Sequence, residues 1–512
     1  MTSPATAAPA KQFRMFDMIF FAVTAMLLLS QLGLTATIGP TAVFWTVVVI
    51  ILFFVPYALV TAELGSTYPD SGGIYAWVVR AFGNRWGSRV SWWYWLNVAL
   101  WVPSVYLLFS ETLSALFFDG GLNYWVQVAI TLALVWIGCW INLRGLKSGG
   151  TLVSTTGAII TMAVIVILAV GGGIYAANHG SATEWSLSAI VPSNSDALPV
   201  MALALSVIVY NFLGFELMSS ASTQMRNPKR DVPKAIVIAG AMIGGFYLLA
   251  TVGMQLVIPA DEISETSGVI DVITLIMGDS AVGKGVAAAL GIGALFCFFA
   301  CLIPWTIGAN IAAQESGQWG DLPRIFSLTH KKRDTPLGAA VLLAVVSTVV
   351  TLLYAVFSEY VGGEISELFI TLFYFSSVIF LLPYIVMMLA FHKLRRTDPG
   401  RERPYRIPGG KGFTAVITLV PTVILAAAAF FFIIDPFSED VGEYFRTWTL
   451  PILVGVVIAV IIQEIFCAKS RTWIRQRAVE RGEDPDHPVS PFLDAGGAPE
   501  ADAAPPAPVI AQ

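Results

Sequence analysis

Charge is scarce in this sequence. Only 12% of its 512 residues are Asp, Glu, Lys or Arg, against 56% hydrophobic. Soluble domains carry about 25% charged residues, because a wetted surface must be solvated. A water-soluble chain this poor in charge would expose large apolar patches and aggregate, so the solvent for this surface is lipid. Other scarcities narrow the function. The four histidines, His179, His330, His392 and His487, fall in loops, at a span end or in the tail, which argues against a haem or intramembrane zinc site. The four cysteines, Cys139, Cys297, Cys301 and Cys467, lie in or beside apolar runs and suit buried small residues rather than a disulfide framework. No Walker-type loop is present, so ATP hydrolysis is not built in. No lysine sits mid-run as a buried coupling amine, and no catalytic pair or metal cluster marks an embedded enzyme. No cofactor, metal or nucleic-acid partner is expected. A secretory leader is not expected either: residues 1–10 are small and polar, and the first apolar run, from about Phe16, has no small-residue cleavage site.

Apolar runs of roughly 20 residues recur instead, each long enough to cross a hydrocarbon core ~30 Å thick. They predict twelve spans, near 16–38, 41–62, 91–115, 123–143, 151–176, 198–222, 235–258, 281–313, 337–357, 365–391, 413–434 and 447–468. No strand-like alternation dominates, so the expected class is an all-α membrane protein and not a β-barrel. Residues 1–15 form a short N-terminal segment, 16–468 the membrane domain, and 469–512 a largely disordered tail. Beyond about residue 482 the tail is Pro, Ala, Gly and Asp, with too little apolar side chain to offset its ordering entropy. A second reading docks it as a short plug beneath the transport path.

The basic residues orient the chain. With the N-terminus inside, 27 of the 29 Lys and Arg fall on the cytoplasmic side, and only Lys284 and Arg446 fall outside. Positively charged loops face the cytoplasm, so both termini are expected there, in a plasma (inner) membrane. The alternation also checks the span count, since one missed span would reverse every later loop.

Polar groups at membrane depth mark function. Span 6 reads Tyr210-Asn211-Phe212-Leu213-Gly214-Phe215-Glu216. A mid-helix acid costs ~2.5–3.5 kcal/mol on insertion scales, so Glu216 should face protein or water. Gly214 weakens the helix and allows backbone amides to open toward a ligand. The alternative is a protonated Glu216 in an interhelical hydrogen bond. Span 1 is interrupted in parallel by Ser30-Gln31-Leu32-Gly33, residues that would also serve plain helix packing. The two interruptions lie five spans apart. Five is odd, so a second set of five enters the membrane inverted, giving repeats over about 16–176 and 198–391 with two extra helices in 413–468. In such repeats the first helix of each half is commonly broken near the midplane, where half-helix ends bind charged substrate groups. An amino-acid carboxylate suits exposed amides of that kind. Trp305, beside Pro304 in span 8, and Asn97 in span 3 are further candidates for substrate contact, each also compatible with packing. Glu63 and Asp17 read as capping or loop-pairing residues.

Phe20-Phe21-Ala22-Val23-Thr24-Ala25, Phe54-Val55-Pro56-Tyr57-Ala58-Leu59, Gly72-Gly73-Ile74-Tyr75-Ala76-Trp77, Gly214-Phe215-Glu216, Asn227-Pro228-Lys229-Arg230-Asp231-Val232-Pro233, Val257-Ile258-Pro259 and Ile407-Pro408-Gly409-Gly410-Lys411-Gly412 occur in that order. Over residues 16–468 the chain thereby resembles the amino acid–polyamine–organocation superfamily, and most closely its bacterial glutamate/GABA antiporter family. The resemblance implies a five-plus-five inverted repeat and alternating access. It places Gly214 and its neighbours on an unwound segment, Tyr210 at an aromatic gate, Trp305 against the ligand and Asn97 in the binding site. Two positions depart from the family pattern: Ser30-Gln31-Leu32-Gly33 replaces a Gly-Ser-Gly trio, and Cys301 replaces a glutamate one turn before Trp305. Positions four apart share a helix face, so the neutral thiol of Cys301 implies a substrate whose distal group is neutral or apolar rather than a second carboxylate.

The expected function is secondary active transport of an amino acid or related amine, by exchange or proton symport. A glutamate/GABA-type antiporter and a polyamine permease are the alternatives, and an amino-acid sensor on the same fold is a further rival. The expected partners are the substrate, the bilayer and, for symport, protons; no oligomeric state is assigned. Cysteine labelling from outside intact cells tests the topology: His179→Cys should react and Arg401→Cys should not, and equal labelling of both would overturn the twelve-span reading.

Overall fold

The computed structural model describes residues 14–118, 120–145, 150–192, 197–220, 227–361, 365–434, 436–437, 441–486 and 509–510. Lys11, Lys147 and Arg226 of the basic loops, and the tail from His487 except Val509–Ile510, lie outside the described residues. Val509–Ile510 pairs in parallel with Leu328–Thr329.

Among the described residues, twelve helices are long and apolar enough to cross a membrane. Spans 1 to 6 are Met15–Ala36, Thr41–Thr67, Asn84–Phe117, Tyr124–Arg144, Thr151–His179 and Leu198–Ser219. Spans 7 to 12 are Lys229–Gln255, Ala281–Trp319, Leu337–Phe357, Leu372–Thr397, Lys411–Ile433 and Leu450–Glu480. Local chemistry sets several boundaries. Asn123 accepts a hydrogen bond from Trp125 N–H, and Ser280 one from Gly283 N–H, so each satisfies an amide that a helix start leaves unpaired. Span 12 runs past the expected limit at 468, and Lys469–Glu480 continue its helix instead of opening the tail. Shorter helices lie between the spans, the longest being Ile74–Phe82 between spans 2 and 3 and Gly268–Met277 between spans 7 and 8.

The spans differ in how deeply they are enclosed. In span 1, 94% of the most apolar window is buried, with 72% in span 10 and 67% in spans 3 and 6, against 22% in span 12. Spans 1, 3, 6 and 10 are therefore the interior, and span 12 is the most peripheral. Lipid tails are as apolar as Leu, so helix association rests on close packing. A Cβ on Gly172 of span 5 would lie 2.4 Å from the carbonyl oxygen of Gly253 in span 7, so these helices meet backbone to backbone.

The ends carrying the basic loops are tied by buried ion pairs. Glu63, at the end of span 2, pairs with Arg395 of span 10 and lies 3.2 Å from Arg403. Its carboxylate also accepts Ile407 N–H at 2.8 Å, so Glu63 holds span 2 to span 10 and the loop beyond it. Asp17 accepts a hydrogen bond from Arg14 N–H, the capping role expected of it.

Asp321, just beyond span 8, is fully buried on the same face. It accepts hydrogen bonds from Tyr75 Oη at 2.8 Å and Asn84 Nδ2 at 3.2 Å. Burial outweighs both donors and pushes its carboxyl up to about 7. A folded-state value above the unfolded one, near 3.9, means that the folded protein holds the extra proton. Stability should therefore fall as pH rises from about 4 to about 7 and level off above. Melting temperatures of wild type and Asp321→Asn across pH 5 to 8 test this. Relative to the variant, wild type should lose several degrees by pH 8, and parallel profiles would refute it.

Candidate functional site

Spans 1 and 6 are both broken at depth. The helix of span 6 stops at Asn211 and restarts at Glu216. Gly214 makes the gap feasible. Its φ of +133° is open to glycine, and a Cβ there would lie 2.8 Å from Met26 Cγ and 3.1 Å from Trp305 Cζ2. Span 1 stops at Met26, passes through Leu27 and Leu28, makes one tight turn over Leu29–Gln31 and resumes at Leu32.

Glu216 begins the second segment of span 6 and is fully buried. Three tyrosine hydroxyls donate to its carboxylate: Tyr57 of span 2 at 2.5 Å, Tyr94 of span 3 at 2.7 Å and Tyr384 of span 10 at 2.7 Å. Hydrogen bonds to a charged group contribute roughly 1.5–3 kcal/mol each. Three together exceed the ~2.5–3.5 kcal/mol insertion cost of a mid-helix acid. The same Tyr57 hydroxyl accepts Gly214 N–H at 3.0 Å and Phe215 N–H at 2.9 Å. This changes one expectation: the amides that would suit a substrate carboxylate at this break are already taken by Tyr57.

An aromatic enclosure adjoins Glu216. Trp305 donates its indole N–H to the Ala25 carbonyl, in the last turn before the span 1 break, at 2.7 Å. Its ring lies 5.8 Å from Trp101, 5.1 Å from Phe380 and 6.5 Å from Tyr94. Tyr210 lies 6.3 Å from Trp101 and 5.2 Å from Phe380. Asn97 falls between Tyr94 and Trp101 on one face of span 3, by the three- and four-residue spacing of a helix.

The remaining sequence candidates divide. Ser30 Oγ, both side-chain polar atoms of Gln31, Asn97 Oδ1, Asn211 Oδ1 and Trp101 Nε1 are buried without a hydrogen-bond partner. Asn211 Nδ2 donates to Thr35 Oγ1 at 3.0 Å, joining the two breaks. Buried polar atoms are normally satisfied, and these unpaired ones lie on spans 1, 3 and 6. Cys301 donates to the Phe298 carbonyl, at 3.3 Å, one turn before Trp305. Two candidates lie elsewhere. Gly33 packs under the loop before Gly268–Met277, where a Cβ would be 2.7 Å from the Glu265 carbonyl oxygen. The Phe215 ring stacks on Phe54 at 5.2 Å and on Tyr57 at 5.8 Å, while its N–H lies in the break.

Sequence reading missed Tyr57, Tyr94, Tyr384 and Trp101. The available signal was hydroxyl-bearing tyrosines at mid-span, since a buried phenol needs a partner.

The family model described as amino acid permease matches residues 13–461. A probable agmatine/putrescine antiporter of Lactococcus lactis is 31% identical over 458 residues, covering 89% of this chain and 94% of the relative. A probable polyamine transporter of Arabidopsis thaliana is 25% identical over 381 residues, 73% and 70% of the two chains. A glutamate/γ-aminobutyrate antiporter of Lactococcus lactis is 23% identical over 456 residues, 86% and 88%.

Glu216→Gln keeps the shape and removes the charge that the three hydroxyls stabilise. It should reach the membrane in wild-type amounts, while flux of any substrate falls at least about tenfold. Undiminished flux would make Glu216 a structural hydrogen-bond acceptor.

Proposed function

Since this chain belongs to the amino acid permease family and is a secondary active transporter, we propose that its substrate is an aliphatic amine, carried by exchange and bound as a cation beside Glu216. The observation that carries the reading is the pairing of a buried carboxylate with an aromatic enclosure. An ammonium or guanidinium over Trp305, Trp101 or Tyr210 gains cation–π attraction, about 2 kcal/mol where water is excluded. The Tyr94 and Tyr384 hydroxyls give their protons to Glu216 and keep lone pairs for a cationic donor. Gln31 Oε1 and Asn97 Oδ1 offer acceptors for a second amine.

A carboxylate substrate lacks matching support. Among the described residues the most enclosed arginine side chains of the ion pairs, Arg80, Arg403 and Arg477, pair with Asp70, Glu63 and Glu480 and not with the site, and the Gly214 and Phe215 amides are engaged by Tyr57. The relative named for agmatine and putrescine fits this chemistry. A proton and an amine would compete for the charge on Glu216, which supports proton coupling as one form of the exchange. A second reading, a neutral amino acid, is favoured by Cys301, whose thiol offers a charged distal group no partner. The concentration of arginine and lysine on one face supports a plasma-membrane carrier with both termini cytoplasmic.

Competition in proteoliposomes tests the substrate. Agmatine and putrescine should inhibit uptake of the best labelled substrate at concentrations at least about tenfold below glutamate or aspartate. Neutral amino acids competing best would favour the second reading, and dicarboxylates competing best would overturn both.

A further inference from the structure

Each break is held by a tyrosine from the opposite half of the repeat. Tyr57 is on span 2, the second helix of the first half. Its hydroxyl accepts Gly214 N–H and Phe215 N–H and donates to Glu216, holding span 6, the first helix of the second half. Tyr247 is on span 7, the second helix of the second half. Its hydroxyl donates to the Met26 carbonyl at 2.7 Å and accepts Leu28 N–H at 3.1 Å, holding span 1. A phenol has one proton and two lone pairs, so a single hydroxyl can join the stranded groups at a gap. Without it, a buried amide and carbonyl lose their partner, at roughly 1–3 kcal/mol.

The two tyrosines are also joined to one another. Tyr247 packs on Phe212 at 5.5 Å, Phe212 on Phe54 at 4.4 Å, Phe54 on Phe215 at 5.2 Å and Phe215 on Tyr57 at 5.8 Å. The ring series is continuous and fully interior, with Phe212 and Phe215 bracketing Gly214. Interiors at crystal-like density transmit displacements instead of absorbing them.

We infer that Tyr57 and Tyr247 are reciprocal positioning residues, coupled through Phe212, Phe54 and Phe215, so that the two breaks keep or lose their substrate-binding shape together. The inference rests on the reading of the breaks as the substrate site. Removing either hydroxyl lowers the fraction of protein with both breaks competent, and apparent affinity falls by that fraction while the translocation step is untouched. Both removals act on one shared equilibrium, so their effects compound beyond the simple product that two independent breaks would give.

The test uses Tyr57→Phe, Tyr247→Phe and the double variant of the full chain in nanodiscs and proteoliposomes. Each single variant should raise KM about tenfold with maximal rate within about twofold. The double variant should raise it by more than the product of the two single effects. Amide hydrogen exchange should quicken at both 26–31 and 212–216 in each single variant. Multiplicative KM effects, with faster exchange only at the break each tyrosine touches, would overturn the coupling. Faster exchange at both breaks with unchanged KM would overturn the substrate-site reading beneath it. A lowered melting temperature with KM and exchange unchanged would reduce both tyrosines to packing. If Tyr57→Phe does not fold, Tyr247→Phe with and without Phe54→Leu replaces it. Phe54→Leu should confine the faster exchange to 26–31, and exchange still quickened at 212–216 would overturn the ring path.

Discussion

A carboxylate in the middle of a helical bundle imposes its needs on everything around it. Glu216 is fully buried, and spans 2, 3 and 10 each supply a hydroxyl to it. Their arrangement is therefore more than apolar packing. Moving any one of them by a turn would strip a donor from a buried acid, the kind of loss that costs several kcal/mol. The break in span 6 depends on the same contacts, because the hydroxyl that serves the acid also satisfies the amides that the break exposes. A broken helix and a buried charge, each unfavourable alone, share one partner and become compatible.

Spans 2 and 10 are tied at two depths. At the site, Tyr57 and Tyr384 meet on Glu216 with their rings 5.9 Å apart. Toward the basic face, Glu63 of span 2 pairs with Arg395 of span 10 and holds Arg403 and Ile407 N–H. An ion pair this enclosed contributes more to specifying geometry than to net stability, because desolvation offsets much of the attraction. It fixes the relative height of the two helices, and thereby sets Tyr384 level with Tyr57.

The proposed preference for a cation rests on the aromatic rings beside Glu216. Trp305 is anchored by its indole N–H just before the span 1 break and presents its ring to Trp101 and Phe380. One side chain thus packs among these rings and satisfies a carbonyl at the end of the first segment of span 1, where Tyr57 instead satisfies two amides of span 6. The rings offer a cation negative faces, and they offer a carboxylate nothing of the kind.

Much of this was legible from the chain alone. Transfer free energy sums locally along a helix, so apolar runs gave twelve spans, and the basic loops gave an alternation consistent with them. Gly214 and Glu216 stood out because a flexible residue and an acid in an apolar run are locally anomalous. Gln31 and Ser30 stood out for the same reason, and they lie at the other break. Which groups answer the anomaly was not a local matter. Tyr57, Tyr94 and Tyr384 lie 159, 122 and 168 positions from Glu216, and Tyr247 lies 221 from Met26. In sequence they are ordinary aromatic residues of apolar spans. Gly33, part of the span 1 feature, packs closely against the loop at Glu265. Span number and candidate depth follow from what each residue costs in lipid. The partners of a buried charge depend on which helices come within about 3 Å of it, and only the tertiary structure decided that.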